Sequence, residues 1–251
     1  MGKLIPLWIV LAGCGFHRIN PAQDDVPGDD APPGDGAKTD AAIDAPPPTI
    51  VYVQGQVATN LGMSDTAEAT FTQDQVAGNF NVVVVSWASN TQDVASVLDM
   101  RGNTYTAALA KTALNGISQR IFYATNIAAG PNKVTATLNG TQPDPKIRIF
   151  EYAGIVQASP IDGTPGVAAG IGPMSASLPT TTTHANDLLF AANYTTGTTT
   201  DPGTGWTQRQ LDAGDIVEDR IVDVTGTYSA TAPLTAVNAW IMQLVAFKGA
   251  P

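Results

Sequence analysis

Residues 80 to 87 read Phe-Asn-Val-Val-Val-Val-Ser-Trp, and this stretch decides the class of fold. Four consecutive valines stand between two aromatic residues, and β-branched and aromatic side chains favour an extended strand. A near-continuous apolar run of this length predicts a strand in the middle of a sandwich, buried on both of its faces.

Further strand-like runs lie on both sides of this stretch, and turn signals containing Gly, Asn or Pro separate them. Residues 134–138, Val-Thr-Ala-Thr-Leu, alternate with a period near two, as a half-buried strand does. We predict strands at residues 50–57, 80–87, 94–100, 104–109, 117–125, 133–138, 146–155, 187–194, 206–211, 216–225 and 239–247.

Many short strands and almost no helical pattern predict an all-β fold. We expect a two-sheet antiparallel β-sandwich, jelly-roll-like, that spans residues 50–251. A propeller would need repeats of roughly 40 to 50 residues, and the sequence has none.

The chain begins with a pattern typical of secretion signals. Lys3 is followed by an apolar run at residues 4–12 and then by Leu11-Ala12-Gly13-Cys14. This last motif resembles the lipobox of bacterial lipoproteins. The resemblance implies that residues 1–13 are a cleaved signal peptide and that Cys14, the only cysteine, carries the lipid. The other interpretation is an ordinary signal peptide, or a buried initiator segment, with an incidental cysteine.

Residues 14–49 form a segment rich in Asp, Pro, Ala and Gly that cannot bury enough apolar surface to fold. We interpret it as a disordered linker between the lipidated cysteine and the sandwich. Two or more acyl chains anchor a protein stably, so we expect an exported protein held at the outer membrane or cell surface. Gly15, in place of Asp, favours the outer membrane in lipoproteins of this kind.

The net charge of −10 argues against a nucleic-acid partner, because a phosphate backbone would be repelled. The expected partner is the lipid bilayer, reached through acylated Cys14, together with a glycan or another surface ligand.

The order of several motifs along residues 50–251 resembles an uncharacterised β-sandwich module of bacterial secreted and surface proteins. The family has no activity to carry over, so the resemblance implies fold and location only. The motifs are Gly102-Asn-Thr-Tyr-Thr106, Phe122-Tyr-Ala-Thr-Asn-Ile127, Ala129-Gly-Pro-Asn-Lys-Val-Thr135, Glu151-Tyr-Ala-Gly154, Asn186-Asp-Leu-Leu-Phe190, Gly205-Trp206, Glu218-Asp-Arg220 and Trp240 to Phe247.

Few residues point to catalysis. A glycosidase needs two carboxyl groups roughly 5 to 9.5 Å apart, and Glu151 and Glu218 interrupt strand-like runs. They are candidates for such a pair, but each also fits a structural charge paired on a sheet. His184 is expected to be a polar loop residue, because a zinc site needs three or four ligands.

Binding fits the sequence better than catalysis. Trp206 follows a Gly-rich loop and could stack on a sugar ring or plug the end of the sandwich, and Tyr105 is similarly ambiguous. With Glu151 and Glu218, these two aromatic residues are the candidate ligand-binding residues.

No cofactor is predicted. Calcium is the most plausible metal, at Asp99 with Asn103 or at Asp212 with Asp215, although such residues more often form turns.

The sequence therefore predicts a membrane-anchored surface lipoprotein that displays a β-sandwich binding or adhesion module, with carbohydrate as the leading ligand. The alternatives are a carbohydrate-active enzyme that uses Glu151 and Glu218, and a structural envelope lipoprotein without a ligand.

Overall fold

The computed structural model describes residues 49–251. The predicted signal peptide, Cys14 and the linker up to residue 48 lie outside the described residues.

The described part of the chain is all-β, and every strand pair in it is antiparallel, which confirms the predicted fold class. The first half contains β1 (Val51–Thr59), β2 (Met63–Thr70), β3 (Phe80–Trp87), β4 (Val94–Asp99), β5 (Thr106–Ala107), β6 (Thr112–Leu114), β7 (Ile117–Ala124), β8 (Lys133–Pro143) and β9 (Lys146–Ala153). The second half contains β10 (Ile161–Ala176), β11 (Thr180–Thr181), β12 (Asp187–Thr195), β13 (Thr207–Asp212), β14 (Asp215–Val222), β15 (Thr227–Tyr228) and β16 (Thr231–Lys248).

Two large sheets form the sandwich. The first has the order β1-β9-β3-β7-β5, with β6 also paired to β7, and the second has the order β10-β16-β12-β14-β13. A small sheet, β2-β8-β4, belongs to the first half, and the pair β11-β15 belongs to the second. Each large sheet is built from one half of the chain, and the first and last strands of each half are neighbours in their sheet.

The second half repeats the strand order of the first. In the first half, β1 pairs with β9, β9 with β3, and β3 with β7. In the second half, β10 pairs with β16, β16 with β12, and β12 with β14. The ends of β9 and β16 also correspond, because Tyr152-Ala-Gly154 and Phe247-Lys-Gly249 occupy the same place. The repeat covers about half of the sandwich, so it is longer than the repeats that a propeller would show.

Strand β3 explains how these layers hold together. All eight residues of β3 are buried. Val82 and Val84 belong to a core shared with the second large sheet, whereas Val83 and Val85 belong to a core under the small sheet β2-β8-β4. A third core lies on the other face of the second large sheet, around Leu189 and Leu244. The strand therefore needs apolar side chains on both faces, because side chains alternate along a strand.

Aromatic rings fill much of the shared core. Phe150 of the first sheet contacts Phe190 of the second edge-on, with centroids 5.4 Å apart. Phe80 contacts Phe247 in the same way at 5.0 Å. Such pairs add to the stabilisation that burial of their area provides, so the two halves are joined by a continuous apolar contact.

Candidate functional site

Glu151 is completely buried on the face of β9 that it shares with Ile147 and Ile149, under the small sheet. Its Oε1 accepts hydrogen bonds from the backbone N–H of Val76, at 2.9 Å, and from Nδ2 of Asn79, at 2.7 Å. Its Oε2 accepts one from Nε2 of Gln54 at 2.7 Å. The carboxylate therefore fixes the connection between β2 and β3 from the inside.

Glu218 is also completely buried, but it lies on β14 in the second large sheet, on the same face as Ile216. Its Oε2 accepts a hydrogen bond from the backbone N–H of Gly203 at 2.7 Å. Its Oε1 has no partner among the described residues, and burial raises the pKa of this carboxyl to about 7.

The structure does not bring the two carboxyl groups together. They lie on different sheets, and each faces away from the core that those sheets share. The hypothesis of a glycosidase that uses Glu151 with Glu218 is therefore wrong, because a water or sugar ring cannot lie between them.

Trp206 lies in the core on the outer face of the second large sheet and is only 9% exposed. Its backbone N–H donates to the carbonyl of Gly203 at 2.9 Å, which closes the turn before β13. The sequence allowed this ring either to stack on a sugar or to fill space within the sandwich. In the structure the ring packs in this core and fills space.

Tyr105 belongs to a network of hydrogen bonds around Asp99. The tyrosine hydroxyl donates to Asp99 Oδ2 at 2.9 Å and accepts from Nδ2 of Asn81 at 3.0 Å. Nδ2 of Asn103 and Nδ2 of Asn132 donate to the same carboxylate oxygen at 2.7 and 2.8 Å. Burial raises the pKa of Tyr105 well above its usual range, so the phenol stays protonated and keeps donating.

The other oxygen of Asp99 holds a turn. Asp99 Oδ1 accepts hydrogen bonds from the backbone N–H groups of Arg101 and Asn103, each at 3.0 Å. Burial acts to raise the pKa of Asp99, but the hydrogen bonds from Asn132 and Asn103 outweigh it and lower this pKa below its usual value. With both oxygens engaged by donors, Asp99 acts as a turn former here, and calcium remains only an expectation from composition.

The turn that Asp99 holds forms one wall of a cavity of about 410 Å³ at the edge of the first large sheet. We call it the threonine pocket. Its lining is Gly102, Asn103, Thr104, Thr106, Tyr123, Thr125 and Asn126. None of these seven side chains is a carboxylate or a cation, so hydroxyl, amide and aromatic groups define the chemistry of the cavity.

Local backbone geometry shapes this pocket. Gly102 has a φ of 75° and Asn126 a φ of 50°, a region that glycine and asparagine adopt more readily than other residues. Oδ1 of Asn103 accepts a hydrogen bond from the backbone N–H of Ala128 at 2.8 Å, which ties the two walls together. The Tyr123 ring stacks on Phe80, with centroids 5.6 Å apart, so it is held by the shared core.

A second cavity, of about 400 Å³, opens at the other end of β3, where Lys146, Tyr194, Asp212 and Asp215 line it with five other residues. We call it the charged cleft. Nζ of Lys146 lies 2.8 Å from Oδ2 of Asp215 and 3.3 Å from Oδ2 of Asp212. Asp212 and Asp215, which the sequence suggested as calcium ligands, thus both contact the ammonium group of Lys146.

His184 lies beside two aspartates at the start of β12. Its Nδ1 is 3.4 Å from Oδ1 of Asp187, which is completely buried. Burial and the neighbouring Asp162 raise the pKa of Asp187 to about 8. Burial opposes the shift at Asp162, but hydrogen bonds from Thr183 and His184 lower its pKa to about 2. Two carboxyls with such divergent pKa values hold one proton between them at neutral pH.

Within residues 49–251, no group of three or more His, Cys, Asp or Glu side chains is arranged to hold a metal ion. The same residues contain no helix that is long and apolar enough to cross a bilayer.

Sequence reasoning missed both cavities. The threonine pocket combines residues from two separate turns, and nothing in either turn alone indicates that they meet. The sequence does contain a signal for the charged cleft. Lys146 and Arg148 alternate with isoleucines and share a strand face with Phe150. Two cations on an inward face indicate buried partners elsewhere in the chain.

Compared with known proteins, the chain matches no family model, no curated protein and no solved structure.

Proposed function

We propose that the chain is a lipid-anchored surface protein of the cell envelope whose β-sandwich binds carbohydrate in the threonine pocket. The observation that carries the ligand class is the lining of that pocket, which combines hydroxyl and amide side chains with one aromatic ring and has no charge.

This chemistry suits a neutral sugar. Hydroxyl and amide groups both donate and accept hydrogen bonds, as sugar hydroxyls do. An aromatic ring such as that of Tyr123 supplies an apolar surface for the C–H groups of a pyranose. The volume of about 410 Å³ falls within the usual range of roughly 300 to 1,000 Å³ for small-molecule sites.

The walls of the pocket are preorganised, which favours binding because little conformational freedom is lost on association. Asp99 accepts five hydrogen bonds within the first half of the sandwich, and four of them come from Arg101, Asn103 and Tyr105. Tyr105 therefore supports ligand binding indirectly, because it fixes the position of one wall of the pocket. Of the candidate binding residues, Glu151 and Glu218 support other connections, and Trp206 packs in a core.

The proposed display on the envelope depends on the lipobox-like motif at Cys14 and on the Asp- and Pro-rich linker that follows it. A sandwich joined to an acylated cysteine by such a linker would stand away from the bilayer, where large glycans are accessible.

A glycan array tests the ligand class. The full chain carrying Cys14→Ser, which keeps it free of acyl chains, is expected to bind at least one class of neutral glycan. The double variant Thr104→Val, Thr106→Val should bind that glycan at least about tenfold more weakly, because each lost hydrogen bond costs on the order of 1 kcal/mol.

Thr70→Val is the matched control, since Thr70 is an exposed threonine at the end of β2, outside the pocket. Equal loss of binding in the control would contradict the pocket. If no glycan binds to the array, the ligand class is wrong, and a structural envelope protein becomes the better description.

A further inference from the structure

The charged cleft contains a lysine and an aspartate whose arrangement goes beyond that of an ordinary ion pair. Lys146 is 5% exposed and Asp215 is 1% exposed, and Nζ of the lysine lies 2.8 Å from Oδ2 of the aspartate. Lys146 is the first residue of β9 in the first half, and Asp215 is the first residue of β14 in the second half. The contact therefore joins the two halves of the sandwich.

We propose that Lys146 and Asp215 become covalently joined by an amide bond between Nζ and Cγ, a cross-link that the folded chain forms within itself. The proposal is independent of the carbohydrate site. Lys146 pairs with Ser86 at the end of β3, whereas Tyr123 of the threonine pocket pairs with Val82 near the start of that strand.

Proximity is the first requirement, and the fold meets it. A nucleophile held in contact with its target reacts as if at very high concentration, because no translational freedom is left to lose. The ammonium of Lys146 has three acceptors around it: Oδ2 of Asp215 at 2.8 Å, Oδ2 of Asp212 at 3.3 Å and the backbone oxygen of Asp212 at 3.2 Å. These contacts fix the nitrogen against the carboxyl group.

The second requirement is a carboxyl group that can be attacked. An ionised carboxylate resists a nucleophile, whereas a carboxylic acid with a polarised C=O accepts one. Burial raises the pKa of Asp215, which favours the acid form. The backbone N–H of Thr195 donates to Oδ1 of Asp215 at 3.0 Å, so it is in place to stabilise negative charge on that oxygen.

The reaction is a condensation that balances without an oxidant or a co-reactant. One proton moves from Nζ of Lys146 to Oδ2 of Asp215, which leaves an amine and a carboxylic acid. The amine lone pair then attacks Cγ, and the C=O electron pair moves to Oδ1.

The second proton passes from Nζ through the carboxylate of Asp212 to the Oδ2 hydroxyl. The Cγ–Oδ2 bond breaks, one water molecule leaves, and the third proton stays on the amide nitrogen. Asp212 ends as it began, in the role of a general base and acid.

Two features of the site favour the product. The reaction removes two buried opposite charges, whose desolvation is costly. The cavity of about 400 Å³ that Lys146 lines gives the released water a way out.

Peptide mapping of the full chain by mass spectrometry, after denaturation and digestion with trypsin, tests the proposal. Trypsin cannot cleave after an acylated lysine, so we expect one branched species in which residues 134–148 are joined to residues 210–220. Its mass should equal the sum of the two segments less one water molecule. Recovery of residues 134–146 and 210–220 only as separate peptides would overturn the proposal.

Two variants sharpen the test. Lys146→Arg keeps the cation but cannot form the amide, so it should give only separate peptides. Asp212→Asn keeps the pair but loses the proton carrier, and the branched species should form at least tenfold more slowly after refolding. Formation at the wild-type rate in Asp212→Asn would overturn the role of Asp212. The wild-type map decides the cross-link even if Lys146→Arg fails to fold.

Discussion

The carboxyl of Glu218 is buried with one oxygen unpartnered among the described residues, and this feature gives the fold a pH dependence. Burial raises the pKa of Glu218 from 4.5 to about 7. A raised pKa in the folded state means that the folded chain holds this proton more tightly than the unfolded chain does. The contribution to stability is therefore fully present below about pH 4.5 and is lost as the pH rises to about 7.

We predict that Glu218→Gln flattens this part of the pH profile. At pH 8 the variant should be more stable than the wild type by up to about 3 kcal/mol, because the amide carries no charge to desolvate. At pH 4 the difference should vanish or reverse. Urea unfolding at a series of pH values measures the free energy of unfolding directly.

Glu68→Gln is a suitable control for this experiment. Glu68 is exposed, and the hydrogen bond from Lys133 lowers its pKa, so its removal should reduce stability slightly above pH 4.5. The two variants should thus shift stability in opposite directions at pH 8. A Glu218→Gln variant that is less stable than the wild type at pH 8 would contradict the burial argument.

For single residues, the sequence predicted the surroundings of a side chain better than it predicted the residues that the side chain contacts. Glu151 interrupts a strand-like run in the sequence, and in the structure it is buried on a strand face that it shares with two isoleucines. Its partners Gln54, Val76 and Asn79 come from distant turns and strands, and no local pattern specifies such contacts. The predicted pairing of Glu151 with Glu218 failed for the same reason. The alternation of side chains along a strand shows which residues share a face, but it does not show which sheet the strand joins.

Among the elements, β10 shows a close approach that a single methyl group would disrupt. Gly166 pairs with Leu244, and a Cβ at this position would overlap the backbone oxygen of Leu178. The backbone of Gly166 has no positive φ, so the obstacle to a larger residue is space alone.

We predict that Gly166→Ala lowers the free energy of unfolding by about 1 to 3 kcal/mol, as overpacking of a close contact does. Gly172→Ala in the same strand is the control. A Cβ at Gly172 would have its nearest neighbour, Nε1 of Trp240, at 3.7 Å, which is ordinary contact. Denaturant unfolding of both variants measures the difference, and equal stability would contradict the packing of β10 against the segment before β11.

The strands that the sequence predicted are those with a strong β composition, such as β3 and β9. It missed β2, β10 and the first part of β16, and also the short strands β6, β11 and β15. The β10 segment is rich in Gly and Ala, and the β2 segment reads Met-Ser-Asp-Thr-Ala-Glu-Ala-Thr. Such segments have low intrinsic strand propensity and become strands because a neighbour offers a full ladder of hydrogen bonds. The short strands β5 (Thr106–Ala107) and β6 (Thr112–Leu114) form against β7 for the same reason, although residues 107–114 are rich in the helix formers Ala and Leu.

For the whole molecule, the sequence predicted the class of fold and its antiparallel two-sheet plan. It did not predict the repeat, because the two halves share strand order but little sequence. Nor could it predict that Arg148 crosses the interface, where its guanidinium donates to the backbone oxygens of Asn193 and Ile216 at 3.0 and 3.3 Å. The pairing of strands that are distant in sequence decides the first feature, and the packing of one sheet on the other decides the second.

The proposed anchor gives a prediction at this scale. Cells grown with labelled palmitate should incorporate the label into the wild-type chain but not into Cys14→Ser, which should move from the membrane fraction to the soluble fraction. Each buried CH₂ contributes about 0.8 kcal/mol, so loss of two or more acyl chains removes stable binding. Label in Cys14→Ser, or none in the wild type, would contradict the anchor.

A crystal structure of the chain soaked with the best glycan from the array tests the central claim, carbohydrate binding in the threonine pocket, most directly. The account predicts density for a sugar ring against Tyr123, with hydrogen bonds to Thr104 and Thr106. Density for the glycan at another surface, with the threonine pocket filled only by solvent, would contradict it.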